Sequence, residues 1–211
     1  MTTLSEYITE TRRLLHDANA NFWTDSELTD YINEARKHLV QDTGCNRVLQ
    51  SYTIPISTET INFSVLPQGN NTIDCLNVNL YWGNSRIPLR YLAWTNFNAQ
   101  LRYWQNYTGR PVAFSMYGPK TIYIGLKIDQ SYVAEFDTVV LPIALVTAGE
   151  TDPLPSPFTE SVPFYAAYKA KYKEQSYGEA EIFKGEYTKS VLQAINTTFT
   201  RRIPNPYSSG Y

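Results

Sequence analysis

The sequence predicts an α+β protein in which helices from both ends of the chain form a bundle and a β-rich region is inserted between them. Apolar residues repeat at a helical period near the N-terminus, alternate with polar residues from Tyr52 onward, and return to the helical period after Pro163. We also expect a short helix within the antiparallel β region and an extended C-terminal arm. The predicted boundaries are residues 1–48 and 158–198 for the helical bundle, 49–157 for the β-rich insertion, and 199–211 for the arm.

Two helix start signals stand close to the N-terminus. Thr3 and Thr24 are each followed three residues later by glutamate, the capping-box spacing in which each side chain bonds the other residue's backbone N–H. The sequence therefore predicts a first helix over residues 4–16 and a second over residues 25–42. The second helix also has the residues of a hydrophobic staple and a C-terminal glycine, which are Trp23, Leu28 and Gly44.

The middle of the chain has the two-residue period of β-strands, interrupted once. Phe97, Leu101 and Trp104 repeat at helical spacing and predict the inserted short helix. Pro55 falls within the first strand pattern and indicates an edge strand, since proline cannot donate a ladder hydrogen bond. Strands are predicted around residues 52–56, 61–65, 76–82, 112–116, 122–126 and 132–140, with turns at Gly69–Asn71, Gly83–Asn84 and Gly118–Pro119.

The C-terminal third begins with a proline-containing loop at residues 147–161. Helices are predicted over residues 163–177 and 179–198, with a break near Gly178. The stripe that the last helix would bury consists of Phe183, Tyr187, Val191 and Ala194.

The composition indicates a surface made for protein contacts. Charged residues make up 18% of the chain, and 17 tyrosines are present, whereas average proteins carry roughly 25% charged residues. Tyrosine supplies contact area at low entropic cost, although it could equally fill strand faces. The net charge of −2, with no basic run, argues against tight binding of nucleic acid. The polar N-terminus predicts no signal peptide, and the longest apolar stretch, Val139–Val146, is too short to span a membrane.

Known catalytic patterns are absent from the sequence. No nucleotide-phosphate loop, hydrolase elbow or HExxH motif is found, and His16 and His38 are interpreted as solvent-facing cations near helix ends. Cys45 and Cys75 form no zinc motif; two free thiols are expected, and one disulfide remains open. A pair of glycosidase carboxylates is not excluded by sequence alone, because such residues need not be close in the chain. We predict a protein that is not an enzyme and has no cofactor or metal.

Several short motifs carry a family resemblance. In the run Thr3–Gly44 they are Arg12–Leu15, Trp23–Leu28 and Tyr31–Ala35, and later in the chain they are Gly109–Pro111, Asp129–Tyr132 and Leu141–Pro142. In these segments the chain resembles the head-to-tail connector, or adaptor, proteins of tailed phages. Members of that family often have a Pro-Asp-x-x-Tyr-like turn at the later position. This chain has Lys127-Ile128-Asp129 and lacks the proline.

The resemblance implies the same layout of terminal helices around an inserted β region. It further implies a virion protein of the phage neck, made in the host bacterial cytoplasm, that forms a ring of twelve subunits beneath the portal protein. The ring would extend the DNA channel, let DNA pass without sequence-specific binding, and present a surface to tail or nozzle proteins. No membrane is involved.

The C-terminal arm is the candidate binding segment for the portal or a neighbouring subunit. Its two prolines favour an extended chain, which lowers the ordering cost of docking. The candidate partner-binding residues are Arg201, Arg202, Ile203, Pro204, Pro206, Tyr207 and Tyr211.

Two alternative functions remain open from the sequence. The chain could be a tail tube or nozzle component. It could also be a carbohydrate-binding module of a phage particle, because aromatic residues that could stack on sugars are close in sequence, although the core of a sheet–helix junction would use them equally well. These aromatic residues are Trp82, Tyr91, Trp94, Tyr103 and Trp104.

Overall fold

The computed structural model describes residues 2–104 and 106–199. Within these residues the chain forms five α-helices and mainly antiparallel sheets, which confirms the α+β class. The chain divides into two compact units. The helical unit contains the residues up to Cys45 and those from Pro142 onward, and the β unit contains Asn46–Leu141. Phe199, the first residue of the predicted arm, is helical, and the rest of the arm, residues 200–211, lies outside the described residues.

The first two helices begin and end where the sequence signals stand. Helix α1 spans Leu4–Leu15 and α2 spans Asp25–Thr43. Both capping boxes form, with the backbone N–H of Glu6 donating to Thr3 Oγ1 and that of Glu27 donating to Thr24 Oγ1. Gly44 ends α2 at a φ of 62°, a left-handed conformation that glycine adopts without a steric penalty.

The last two helices are divided three residues earlier than predicted. Helix α4 spans Val162–Lys173 and α5 spans Tyr177–Phe199, so the predicted break near Gly178 is wrong. The chain reverses instead at Gln175, whose φ is 64°. The N–H of Gln175 donates to the carbonyl of Tyr172 and that of Ser176 to the carbonyl of Lys171, the hydrogen bonds of a Schellman motif, so glycine is not needed for this helix end.

Helix α4 lies at the centre of the helical unit and contacts α1, α2 and α5. Its alanines at positions 167 and 170 are fully buried and pack with Leu15 and Leu28. Small side chains at these positions let the helices approach closely. Helix α5 buries Tyr187, Val191 and Ala194, and Phe183 packs half-buried beside them, which confirms the predicted stripe.

The β unit contains three sheets in the described residues. Their strand orders are β1-β10-β3-β4, β2-β8-β7-β5 and β6-β9. The strands are β1 (Arg47–Ile54), β2 (Thr60–Asn62), β3 (Thr72–Trp82), β4 (Ser85–Pro88), β5 (Arg90–Tyr91), β6 (Thr108–Gly109), β7 (Ala113–Tyr117), β8 (Thr121–Gly125), β9 (Lys127–Ile128) and β10 (Tyr132–Val140). Residues of both four-stranded sheets, including Phe136 and Phe114, share one apolar core. Strand β1 is an edge strand, as Pro55 indicated, and Pro55 lies just beyond its last residue.

Two predictions for the β region, its antiparallel pairing and its second strand, need correction. Pairings β5–β7 and β6–β9 are parallel, although each joins only two residues per strand. Residues Phe63–Val65 form a 3₁₀ turn and not the second half of a strand. The side chain of Asn62 accepts a hydrogen bond from the N–H of Ser64 at 2.9 Å, a local cap that competes with ladder pairing.

One strand also departs from the predicted alternation. In β3, Asn77 pairs with Asp137 and Cys75 pairs with Thr138, so Leu76 is the extra residue of a β-bulge. Leu76 is therefore exposed, while Val78 and Leu80 on the same strand are buried.

The predicted inserted helix is confirmed as α3, which spans Trp94–Trp104. Phe97 is buried, and Trp94 packs against Tyr117 and Tyr123 of the β7–β8 hairpin.

Candidate functional site

The seven arm residues predicted to bind a partner all lie outside the described residues, so their role stays a prediction. They are Arg201, Arg202, Ile203, Pro204, Pro206, Tyr207 and Tyr211. In the described part of the helical unit, the candidate contact surfaces are held in place by residues that belong to none of the predicted sites.

A buried ion pair fixes the chain where it returns to the helical unit. Arg36 of α2 donates through Nε to Asp152 Oδ2 at 2.9 Å and through Nη2 to Oδ1 at 2.8 Å. The arginine side chain is 1% exposed and the aspartate side chain 0%. Tyr7 of α1 donates its hydroxyl to Asp152 Oδ2 at 2.8 Å. Burial, followed by the negative charge of Asp152, raises the pKa of Tyr7 well above its usual value. A buried carboxylate of this kind needs such partners, and here it has them from both N-terminal helices.

The same cluster positions residues 142–157, which we call the return segment. Arg36 Nη1 donates to the carbonyl of Ile143 at 2.8 Å. Asn33 bonds Leu145 in both directions, with its Nδ2 donating to the carbonyl and its Oδ1 accepting from the N–H, each at 2.9 Å. The backbone of Glu150 accepts from the N–H of Leu4. The return segment is therefore held against α1 and α2 by side-chain and backbone bonds although it has little regular structure.

This anchoring leaves two large apolar side chains facing outward. Ile143 is 72% exposed and Val146 is 78% exposed, whereas Leu145 between them is buried. Exposed single apolar residues are common, but here they stand on a segment held by buried bonds. Val146 lines a groove that we define as the α1–α2 groove, with a volume of about 500 Å³. The groove is lined by Leu4, Ile8, Asp25, Ser26, Thr29, Asp30, Asn33, Ala144, Leu145, Val146 and Ala148.

A second buried charge cluster orders the loop between α1 and α2. Arg12 donates to Asp17 at 3.1 Å and to Asp25 at 2.6 Å, and its side chain is 9% exposed. Burial alone would raise the pKa of Asp17, but hydrogen bonds from the backbone of Trp23, Asn21 and Phe22 outweigh it and lower that pKa. Arg12 begins a basic doublet at the end of α1, yet its side chain is buried and paired and not solvated. The acceptors lie within thirteen positions of it in sequence, so the acidic residues flanking this short loop were the available signal.

Ion pairs between helices hold α4 beside α2. Lys173 donates to Glu27 at 2.5 Å and Lys169 to Glu34 at 2.6 Å. The hydrogen bond from Lys173 is the largest cause of a lowered pKa at Glu27. Tyr187 of α5 donates its hydroxyl to Asp42 at the end of α2, at 2.8 Å. The order of the ion pairs shows that α4 runs antiparallel to α2. The ring contacts Tyr165–Tyr187 and Tyr172–Tyr177 show that α5 runs antiparallel to α4, and so parallel to α2.

No catalytic arrangement emerges in the part of the chain that the structure describes. No group of three or more His, Cys, Asp or Glu side chains there could hold a metal ion. His38 stacks on the ring of Tyr165 at 4.9 Å between centroids, and His16 caps the end of α1. Both cysteines are free, and burial raises the pKa of the Cys75 thiol to about 12, which leaves it unreactive at neutral pH.

The aromatic residues considered for sugar stacking do not form one platform. Trp94 and Trp104 pack at the junction of α3 with the β7–β8 hairpin, where Trp104 lies against Gly125. Trp82 is exposed at the end of β3 and holds the guanidinium of Arg110 over its ring at 4.5 Å. The ring of Trp82 therefore already has a cationic partner within the chain.

Comparison with known proteins gives one assignment. A family model described as SU10 adaptor protein matches residues 2–208 of the chain. No curated protein matches it. Among the helices of residues 2–104 and 106–199, none has the length and apolar character of a membrane span.

Proposed function

The chain belongs to the SU10 adaptor protein family, and from that membership we propose that it is the adaptor that joins a phage portal to the tail. The observation that carries the proposal is the match to this family over residues 2–208. The family is one of phage head-to-tail adaptors, and such a protein works in the virion neck, where it interacts with portal and tail components and with copies of itself.

In the proposed assembly, copies of the chain form a ring beneath the portal, and the family resemblance implies twelve of them. A ring needs heterologous contacts, in which one patch of each subunit meets a different patch of its neighbour and the rotation closes. The ring would extend the DNA channel. The net charge of −2 supports passage of DNA without tight binding, because neutralisation of phosphates by basic side chains dominates protein–DNA affinity.

The two units would divide the work. We assign residues 1–48 and 158–198 to a helical bundle that makes subunit contacts, and residues 49–157 to an insertion that faces outward or toward the tail. The arm at residues 199–211 would bind the portal or the next subunit through Arg201, Arg202, Ile203, Pro204, Pro206, Tyr207 and Tyr211. The buried Arg36–Asp152 pair supports a fixed contact surface on the bundle, because it holds the return segment, the last part of the range given to the insertion, against α2.

The proposed role is assembly without bond-making chemistry. Its free energy would come from buried surface, reduced by the cost of ordering the arm. The chain would be made in the host cytoplasm and incorporated into the virion neck. Nothing in the aromatic residues favours the sugar-binding alternative, because they are spread over separate contacts.

Sedimentation of portal assemblies with the chain tests this proposal. The full chain should migrate with the portal from the same phage, and a chain lacking Ile203–Tyr211 should migrate separately. If the truncated chain still migrates with the portal, the proposed binding role of the arm is refuted and the adaptor role remains intact. A full chain that never migrates with the portal would contradict the adaptor role itself.

A further inference from the structure

The α1–α2 groove combines an apolar floor with an acidic rim. Leu4, Ile8 and Leu145 line its floor, and among the described residues the charged ones that line it are Asp25 and Asp30. Asp25 bonds Arg12 through one carboxylate oxygen, yet its side chain is 75% exposed. Asp30 is exposed, and no cation within the described residues pairs with it. The groove therefore suits a ligand that has positive charge next to an apolar side chain.

One segment of the chain has this chemistry in its sequence. Residues 200–211 read Thr-Arg-Arg-Ile-Pro-Asn-Pro-Tyr-Ser-Ser-Gly-Tyr. Arg201 and Arg202 are the only charged side chains in this segment, and Ile203 follows them directly. The two arginines complement the acidic rim of the groove, and the isoleucine directly after them complements its apolar floor.

The groove of the same molecule is too far away for these arginines. From Tyr187, which bonds Asp42 at the end of α2, α5 continues to Phe199 for about 18 Å at the rise of an α-helix. The groove lies the other way, about 20 Å back along α2 from Asp42 to Thr29. Because α5 runs parallel to α2, the length along α5 and the length along α2 add. By helical rise, Phe199 therefore lies nearly 40 Å from the groove. Arg201 and Arg202 follow Phe199 by two and three residues and can extend from it by only about 11 Å.

We propose that residues 200–211 of one copy dock in the α1–α2 groove of a second copy. Arg201 and Arg202 approach Asp30 and the exposed edge of Asp25, and Ile203 packs against Ile8 and Val146. The two prolines after Ile203 restrict the segment before it binds, which reduces the entropy lost on docking. This inference rests on the proposed ring, because a segment at one end of α5 that binds a groove beside the start of α2 is a heterologous contact.

Disulfide trapping in the full chain tests the contact directly. One chain carries Val146→Cys and a differently tagged chain carries Ile203→Cys, both in a Cys45→Ser background, and they are mixed under mild oxidation with and without the portal. The matched control replaces Val146→Cys by Leu192→Cys. Leu192 is also apolar and exposed, but it stands on α5 beside the basic Lys189.

We expect the disulfide between the two tagged chains to form at least tenfold faster at position 146 than at position 192. Asp30→Lys in the Val146→Cys chain should reduce this rate about tenfold, since a favourable charge contact becomes a repulsive one. Glu181→Lys, an exposed change of the same charge on α5, should leave the rate within about twofold. Circular dichroism of each variant checks that it folds.

The proposal is overturned if position 146 traps no faster than position 192 in both mixtures, or if Asp30→Lys has no more effect than Glu181→Lys. Native mass spectrometry of the same mixtures reports portal binding separately. Portal binding without trapping would refute the groove contact and leave the adaptor role standing. Trapping without portal binding would support the contact between copies and count against the adaptor role.

Discussion

Asp152→Asn is expected to destabilise the helical unit by about 3–5 kcal/mol, the usual cost of removing one partner from a buried ion pair. The Asp152 carboxylate accepts from Arg36 Nε and Nη2, from the Tyr7 hydroxyl and from the backbone N–H of Leu154. An asparagine amide offers one oxygen to these donors and turns its own N–H₂ toward the others. The guanidinium would then remain buried without its counter-charge.

Urea unfolding followed by helical circular dichroism measures this cost. In a thermal scan the same change corresponds to a lower Tm by roughly 6–20 °C, at about 2–4 °C per kcal/mol for a chain of this size. The control is Glu10→Gln, which removes the exposed pair of Glu10 with Arg13 and should change the unfolding free energy by no more than about 0.5 kcal/mol. The double variant Arg36→Met, Asp152→Asn should lose less unfolding free energy than the two single variants together. We expect the difference to be about 1–3 kcal/mol.

Additive losses, or an Asp152→Asn chain as stable as the Glu10→Gln chain, would refute the reasoning. Either result would mean that the pair does not hold the return segment against α1 and α2. The exposed positions of Ile143 and Val146 would then lack the structural support on which the surface assignment depends.

Three further predictions concern backbone and charge. Gly69→Ala should destabilise the chain by about 1–3 kcal/mol or more in urea unfolding, because a Cβ there would lie 1.7 Å from the carbonyl oxygen of Phe63 and the backbone must move. Gly149→Ala, where a Cβ meets open space, is the control and should change the stability by less than about 0.5 kcal/mol. Thr24→Ala should cost about 1 kcal/mol by the same measurement, because it removes the N-cap of α2. The folded-state pKa of Asp17 lies below its ordinary value of 3.8, so its contribution is present above that pH and is lost as the pH falls through the folded-state pKa. The Tm of the wild-type chain should therefore fall more steeply on acidification below that value than the Tm of Asp17→Asn, and equal slopes would contradict this role.

Local patterns were sufficient for most of the elements. The two capping boxes at Thr3 and Thr24 predicted the starts of α1 and α2 correctly, because a cap is decided within four residues. The alternation over Tyr132–Val140 predicted β10 correctly, since burial on one face of a strand is a local property. The break between α4 and α5 was misplaced because glycine was taken as the helix end, whereas Gln175 adopts the left-handed conformation and Gly178 lies within α5.

The features that depend on contacts between distant parts of the chain could not be found from local patterns. Arg36 and Asp152 are separated by 116 positions, and neither stands in a recognisable motif. The extra residue at Leu76 depends on which residues of β10 pair with β3, and a single strand carries no record of that pairing. The groove likewise arises from two helices and a distant segment, so its lining residues become neighbours only through the packing of the helical unit.

Native mass spectrometry of the chain, alone and mixed with the portal protein from the same phage, tests the central claim most directly. We expect stoichiometric addition of one chain per portal subunit. A chain that stays monomeric in both samples, with no mass added to the portal, would contradict the adaptor function.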